Sequence, residues 1–181
     1  MCLHLAVTKV NRKLAIHEKK IWNDEVVDIV LFEPEIPQNT GNIIRLAANT
    51  GSKLHLIEPL GFKLEDKKMR RAGLDYHEFA EIAVYNGWQH FKNESVKHRR
   101  VFGLSTKGSE PYTSIHFKTD DFVVFGSETR GLSDVTRVDI GPENIYRIPM
   151  IAGSRSLNLS NAVAIVIYQA WHQGNFAGAI V

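Results

Sequence analysis

The chain has 181 residues, with 22 Lys and Arg against 20 Asp and Glu, a hydrophobic share of 44% and a charged share of 23%. This is the balance of one ordinary globular domain, long enough to bury roughly 70% of its unfolded surface, and it excludes global disorder. A formal net charge of +2 excludes a surface that grips nucleic acid all over, so any such contact must come from local clusters.

The longest apolar stretches, Val26 to Phe32 with Asp28 inside it and Ala162 to Tyr168, fall well short of the ~18 residues a membrane span needs. The single cysteine, Cys2, cannot form an internal disulfide, and no Cys/His group has zinc-ligand spacing. A cytoplasmic, metal-free protein without membrane contact is expected. Residues 1–25 read as an extension of unknown role. They could form a short amphipathic helix (Leu14, Ile16, Ile21, Trp22), a mobile tail or the product of an upstream start, with the tail preferred. Residues 26–181 read as one domain, with no repeat, linker or low-complexity segment.

From Val26 onward, strand-like apolar runs alternate with helix-like patterns, the signature of an α/β fold with a parallel sheet and crossover helices. Strands are expected at 27–32, 54–57, 79–84, 101–104, 122–125 and 145–148. Asn39 or Thr40 is positioned to cap a helix through Ile43, Ile44, Leu46 and Ala47 that stops at Gly51. Further helices are expected at 65–71, before Gly73, and at 87–96. The last, from about Ser156 to His172, is apolar nearly all round, so it must be buried nearly all round. A terminal helix usually lies on the outside of such a domain, which predicts a homodimer through this helix; the plainer alternative buries it inside its own monomer.

Several familiar sites are excluded. There is no G-x-G-x-x-G, and 103–108 lacks the Gly-Lys-Ser/Thr of a P-loop. Gly126 directly precedes Ser127, which is not the spacing of a nucleophile elbow. No two histidines sit i, i+4 on one helix. What remains is three polar loops after strands or at helix starts, where open α/β sheets bind ligands.

The first loop is 33–45. Asn39, Thr40 and Asn42 offer polar groups at a helix N-terminus, and Arg45 could reach a phosphate; the plainer reading is that Asn39 only caps and Arg45 faces water. The second is 125–132, where Gly126 and Gly131 permit close backbone approach and Glu128 and Arg130 put opposite charges at a strand end; the plainer reading is a turn with a surface ion pair. The third is 148–162, where Ser156, Asn158, Ser160 and Asn161 exceed the needs of one cap.

The order Asn39-Thr40-Gly41-Asn42-Ile43-Ile44-Arg45, then Phe125-Gly126-x-Glu128-Thr129-Arg130-Gly131-Leu132, then Ile148-Pro149-Met150 with Ser154-Arg155-Ser156-Leu157-Asn158-Leu159-Ser160-Asn161, resembles the three motifs of the SPOUT methyltransferases. With Glu33-Pro34-Glu35-Ile36-Pro37 and the stretch 70–78, it is similar, more narrowly, to the bacterial tRNA (cytidine/uridine) 2′-O-methyltransferases acting at the wobble nucleotide of leucine tRNAs. Gln38 and Ser127 stand where relatives commonly carry proline.

The resemblance implies a mostly parallel sheet flanked by helices, with a deep C-terminal trefoil knot of a kind rare among folds. It implies S-adenosylmethionine as cofactor, contacted by Leu104, Gly126, Gly131, Ile148, Met150, Ser156 and Leu157. It implies Arg45 as the residue that contacts the reacting nucleotide, with Glu128, Asn158 and Ser160 holding Arg45 or the cofactor, and Tyr168 near the dimer interface. Arginine is normally protonated at neutral pH, so stabilisation of a developing alkoxide is the safer role for Arg45 than that of a literal base.

RNA contacts, with the anticodon stem-loop, are expected at Asn39, Arg45, Lys67, Lys68, Arg70, Arg71 and Tyr76; a second basic cluster, 97–100, is an RNA face or a solvated surface. The rival readings are a ribose methyltransferase for another tRNA position or for ribosomal RNA, and a non-catalytic RNA- or cofactor-binding module.

Overall fold

The computed structural model describes residues 12–13, 26–64 and 80–180. Of the sequence readings, the 1–25 extension apart from its strand at 12–13, the helix at 65–71 and the residues Lys67, Lys68, Arg70, Arg71 and Tyr76 lie outside the described residues.

Among the described residues eight strands form one sheet: β1 (Arg12–Lys13), β2 (Asp28–Phe32), β3 (Leu54–Ile57), β4 (Ile82–Tyr85), β5 (Val101–Leu104), β6 (Glu110–Pro111), β7 (Phe122–Phe125) and β8 (Ile145–Arg147). Their order is β1-β4-β3-β2-β7-β5-β8-β6. Every pairing is parallel except β1 with β4. β7 enters late, between β2 and β5, and β8 between β5 and β6, so the loops that follow β2, β5, β7 and β8 gather at one end of the sheet. That gathering positions the site.

The central strands are buried on both faces, and for that reason read as unbroken apolar runs. Ile29 and Leu31 point with Leu54, Leu56, Val123 and Phe125 into one core. That core is covered by helices α1 (Pro37–Thr50) and α4 (Leu159–Gln173). Val30 and Phe32 point the other way, against Phe91, Phe122, Val124, Leu132 and Ile140. The last two come from β7's following segment and from α3 (Asp134–Ile140), while Phe91 ends the short helix α2 (Trp88–Phe91), which runs on as a π-helical stretch to Val96.

Two helix starts differ from expectation. Asn39 does not cap α1: the cap position is Ile36, without a side-chain bond, and Pro37 opens the helix. Proline suits that place because its missing N–H would have had no partner there. Gly51 closes the helix as expected, in the left-handed conformation (φ 78), its N–H bonded to Ala47. Helix α4 starts at Leu159 rather than at about Ser156, and Asn158 caps it, accepting from the N–H groups of Ser160 and Asn161.

Helix α4 buries Leu159, Val163, Val166, Ile167, Ala170 and Trp171 inside its own chain. Ile165 and Tyr168 remain 38% and 44% exposed, on an outward stripe with Asn161 and His172. The apolar pattern therefore serves two faces, one already covered.

Beneath the sheet, Asp28 is buried, 2.6 Å from the Arg99 guanidinium and 3.4 Å from His55 Nε2. His55 Nδ1 meets the Tyr85 hydroxyl at 2.9 Å, and that hydroxyl meets Ser95 Oγ at 2.8 Å. Burial alone would raise the Asp28 carboxyl, but its bonds and attraction to His55 and Arg99 outweigh it and hold the group below its ordinary value. A carboxylate lowered by folding stabilises the fold above its unfolded value of about 3.9 and loses that contribution as pH falls. Asp28→Asn is expected to cost about 3 kcal/mol at pH 7, and thermal melts should show the gap from wild type closing below pH ~4.

Candidate active site

The four loops at the carboxyl ends of β2, β5, β7 and β8 enclose a cavity of about 540 Å³, the size of a nucleoside-cofactor site. Leu104, Gly126, Gly131, Ile148, Met150, Ser156 and Leu157 all line it, as do Glu128 and Asn158. Residues as far apart in sequence as Asn39 and Asn158, 119 positions, thus meet at one cavity.

Gly126 makes the second loop possible. A Cβ there would lie 2.0 Å from the Gly131 carbonyl carbon and 2.1 Å from the Leu132 nitrogen. The loop folds back on itself through the Gly131 N–H, which donates to Ser127 O at 2.8 Å. Gly131 itself has φ 66, a left-handed conformation that glycine adopts freely.

A chain of side chains ties the loops together. The Glu128 carboxylate accepts from the backbone N–H of Glu35 (2.7 Å), that of Ile36 (3.1 Å) and from Asn39 Nδ2 (2.9 Å). Asn39 Oδ1 accepts from Asn158 Nδ2 at 2.8 Å, and Asn158 Oδ1 accepts from Ser160 Oγ at 2.7 Å. Charge-assisted bonds to backbone donors are the strong kind, and they anchor the start of α1. Asn39 is buried, with its Nδ2 on Glu128 and its Oδ1 on Asn158, so it joins loop one to both other loops.

In the reverse direction, Glu35 accepts from the Thr129 hydroxyl at 2.7 Å and the Thr129 N–H at 3.2 Å. The Thr129 hydroxyl bond leads the causes that hold the Glu35 carboxyl below its ordinary value. Arg130 binds Glu33 at 3.0 Å and lies 3.5 Å from Glu35.

A match to the SpoU rRNA Methylase family model spans residues 27–168. The chain belongs to the SpoU methylase family. It is 54% identical over 153 residues to a tRNA (cytidine(34)-2′-O)-methyltransferase of Methylovorus glucosotrophus, covering 84% of this chain and 99% of that one. A solved structure concerned with 2-OH methylation of C/U34 on tRNA superposes with a TM-score of 0.79 at 37% identity, covering 85% of this chain and 99% of that chain. An AdoMet-bound rRNA methyltransferase from Sinorhizobium meliloti, 23% identical with a TM-score of 0.72, shares the fold; the match covers 81% of this chain and 56% of that one.

As a SpoU methylase, the protein presents a cavity lined both by apolar residues such as Leu104, Leu132, Ile148 and Met150 and by polar loop residues. An adenosine-bearing cofactor needs both, an apolar slot for its ring and a close-approaching backbone for its polar edge. Three of the sequence-predicted residues stand apart. Arg45 is exposed on α1 and outside the cavity wall, Tyr168 is exposed on α4 with an edge contact to Trp171 at 5.7 Å, and Ser160, outside that wall too, has its hydroxyl on Asn158. Arg99 and Arg100 of the second basic cluster turn inward, to Asp28 at 2.6 Å and Asp121 at 2.5 Å.

The sequence reading missed Ser105, Thr106 and Lys107, which line the cavity after β5. The signal was present, since Ser105-Thr106-Lys107-Gly108 is a polar, glycine-ended turn after a strand like the three loops that were singled out.

Proposed function

We propose that this protein transfers a methyl group from S-adenosylmethionine to the ribose 2′-hydroxyl of the wobble nucleotide, C34 or a modified U34, of tRNA. The observation that carries this reading is the meeting of the three motif loops around one cavity, bridged by Glu128, Asn39 and Asn158, in a chain 54% identical across 99% of a relative that bears this activity's name. Leucine isoacceptors are the favoured substrates, read at the anticodon stem-loop, in the cytoplasm.

The cofactor, when bound, supplies a sulfonium methyl as the electrophile. Leu104 and Ile148 would flank its adenine ring, and the backbone at Gly126, Gly131, Met150, Ser156 and Leu157 would take its polar edge. Glu128, Asn39, Asn158 and Ser160 tie the three loops together and so would hold cofactor and nucleotide in a fixed relative position. Arg45 would steady negative charge on the attacking 2′-oxygen as its proton passes to solvent. The deep trefoil knot belongs to this reading: late insertion of β7 and β8 between earlier strands is the kind of path such a knot follows.

A homodimer through the outward stripe of α4, with Ile165 and Tyr168 at its centre, completes the reading. It gives Arg45, which lies outside its own cavity wall, a second cavity to serve. Residues 26–181 are the catalytic domain.

The test is methyl transfer from radiolabelled S-adenosylmethionine to tRNA lacking this modification. Labelled 2′-O-methylnucleoside at position 34 is expected; label at another position, or only in ribosomal RNA, overturns the assignment.

A further inference from the structure

The contacts between loop one and loop two are more numerous than fastening requires. Glu128 already takes two backbone N–H groups of loop one, and Glu35 already takes the hydroxyl and N–H of Thr129. Arg130 adds an ion pair to Glu33 with its side chain 66% exposed. Exposed pairs of this kind contribute little to stability, so this one is a poor fastener. It is, however, easily exchanged.

The geometry is specific in another way. Arg130 uses the Nη2 group toward Glu33 and the Nε group toward Glu35, one of the edges by which a guanidinium grips two oxygens of a phosphate. Arg130 also lines the cavity mouth. Glu33, for its part, is held at φ 51, a backbone conformation that a residue with a side chain adopts only where its surroundings impose it. Its N–H bonds Ile57 O at 3.0 Å, and its carboxylate reaches Arg130.

We propose that Arg130 is an exchangeable phosphate latch, held on Glu33 and Glu35 in the free protein and transferred to a phosphodiester of the RNA strand that enters the cavity. The inference rests on RNA being the substrate. The two carboxylates keep the guanidinium oriented and repel small free anions, and an entering strand competes because its phosphate matches both nitrogens at once. Arg130 is then a binding and positioning residue for the nucleotide, distinct from the cofactor contacts.

The test is a double-mutant cycle on the full chain, read as equilibrium binding of a C34-containing tRNA transcript across a salt series. Arg130→Gln is expected to weaken binding about tenfold and to lower the slope of log affinity against log salt by about 0.7. Arg130→Lys should retain the slope without the full affinity. Glu33→Gln should tighten binding about two- to fivefold, the range of an exposed ion pair, and this gain should vanish in the Arg130→Gln background.

A Glu33→Gln gain that persists without Arg130 reflects only the general field and overturns the latch. So does an Arg130→Gln variant that melts early or loses S-adenosylmethionine binding while its salt slope stays unchanged. Failure of the wild type to bind tRNA overturns the functional reading and the latch together, whereas intact wild-type binding with uncoupled variants overturns the latch alone.

Discussion

Gly126→Ala is expected to abolish cofactor binding and to lower the melting temperature, whereas Gly131→Ala, five residues on in the same loop, should do much less. At Gly126 the added methyl would meet main-chain atoms at 2.0 and 2.1 Å. No rotamer relieves such a clash; the turn itself must open by about an ångström, and the cavity wall opens with it. Overpacking of this kind costs about 3 kcal/mol or more, which in a chain of this length is a fall of about 6–12 °C. At Gly131 a Cβ meets nothing within 4 Å, and only the φ of 66 resists it, for about 1–2 kcal/mol. Calorimetric titration with S-adenosylmethionine separates the two. Wild-type affinity in Gly126→Ala would show that this loop is not the cofactor's seat.

The contrast between these glycines was not visible in sequence, where both serve the same motif. Legibility followed burial. The strands at 54–57, 101–104 and 122–125 match expectation to the residue, because runs such as Leu54–Ile57 and Phe122–Phe125 are buried at every position and end where polar residues begin. Helix α3 was missed for the converse reason. It buries Thr136 and Ile140 but leaves Val135 and Val138 78% and 73% exposed, so its apolar pattern gives no face. β1 and β6, two residues each, are edge pairings without a pattern of their own. In the site, the loops could be found by their position after strands, but the partners within them could not. The plainer reading of the second loop paired Glu128 with Arg130 on the surface, yet Glu128 binds backbone across the site while Arg130 takes Glu33. Both outcomes depend on β7 entering beside β2, a neighbourhood fixed by the whole sheet and not by any local segment.

That same neighbourhood bears on Arg45. Arg45→Ala is expected to lower kcat by about 10²- to 10³-fold, the loss typical of removing one group aimed at a developing oxyanion, while leaving cofactor affinity and melting temperature near wild type. The sparing of both follows from position: Arg45 is exposed and absent from the cavity wall. Asn39, six residues earlier on the same helix, is in that wall, and six residues carry a helix about 9 Å along its axis and about one and two-thirds turns onward, to a position about 120° away round the axis. A guanidinium so placed serves its own cavity poorly and a second copy's well, if the copies meet on the outward stripe of α4, which packs beside α1. Mixed dimers decide between the two. A dimer of one Arg45→Ala chain and one Gly126→Ala chain has, under action across the interface, one site with both an intact cavity and an intact arginine, and should recover up to about half of wild-type turnover. Under action within a chain it has no such site, and its activity should stay at the level of the two parents.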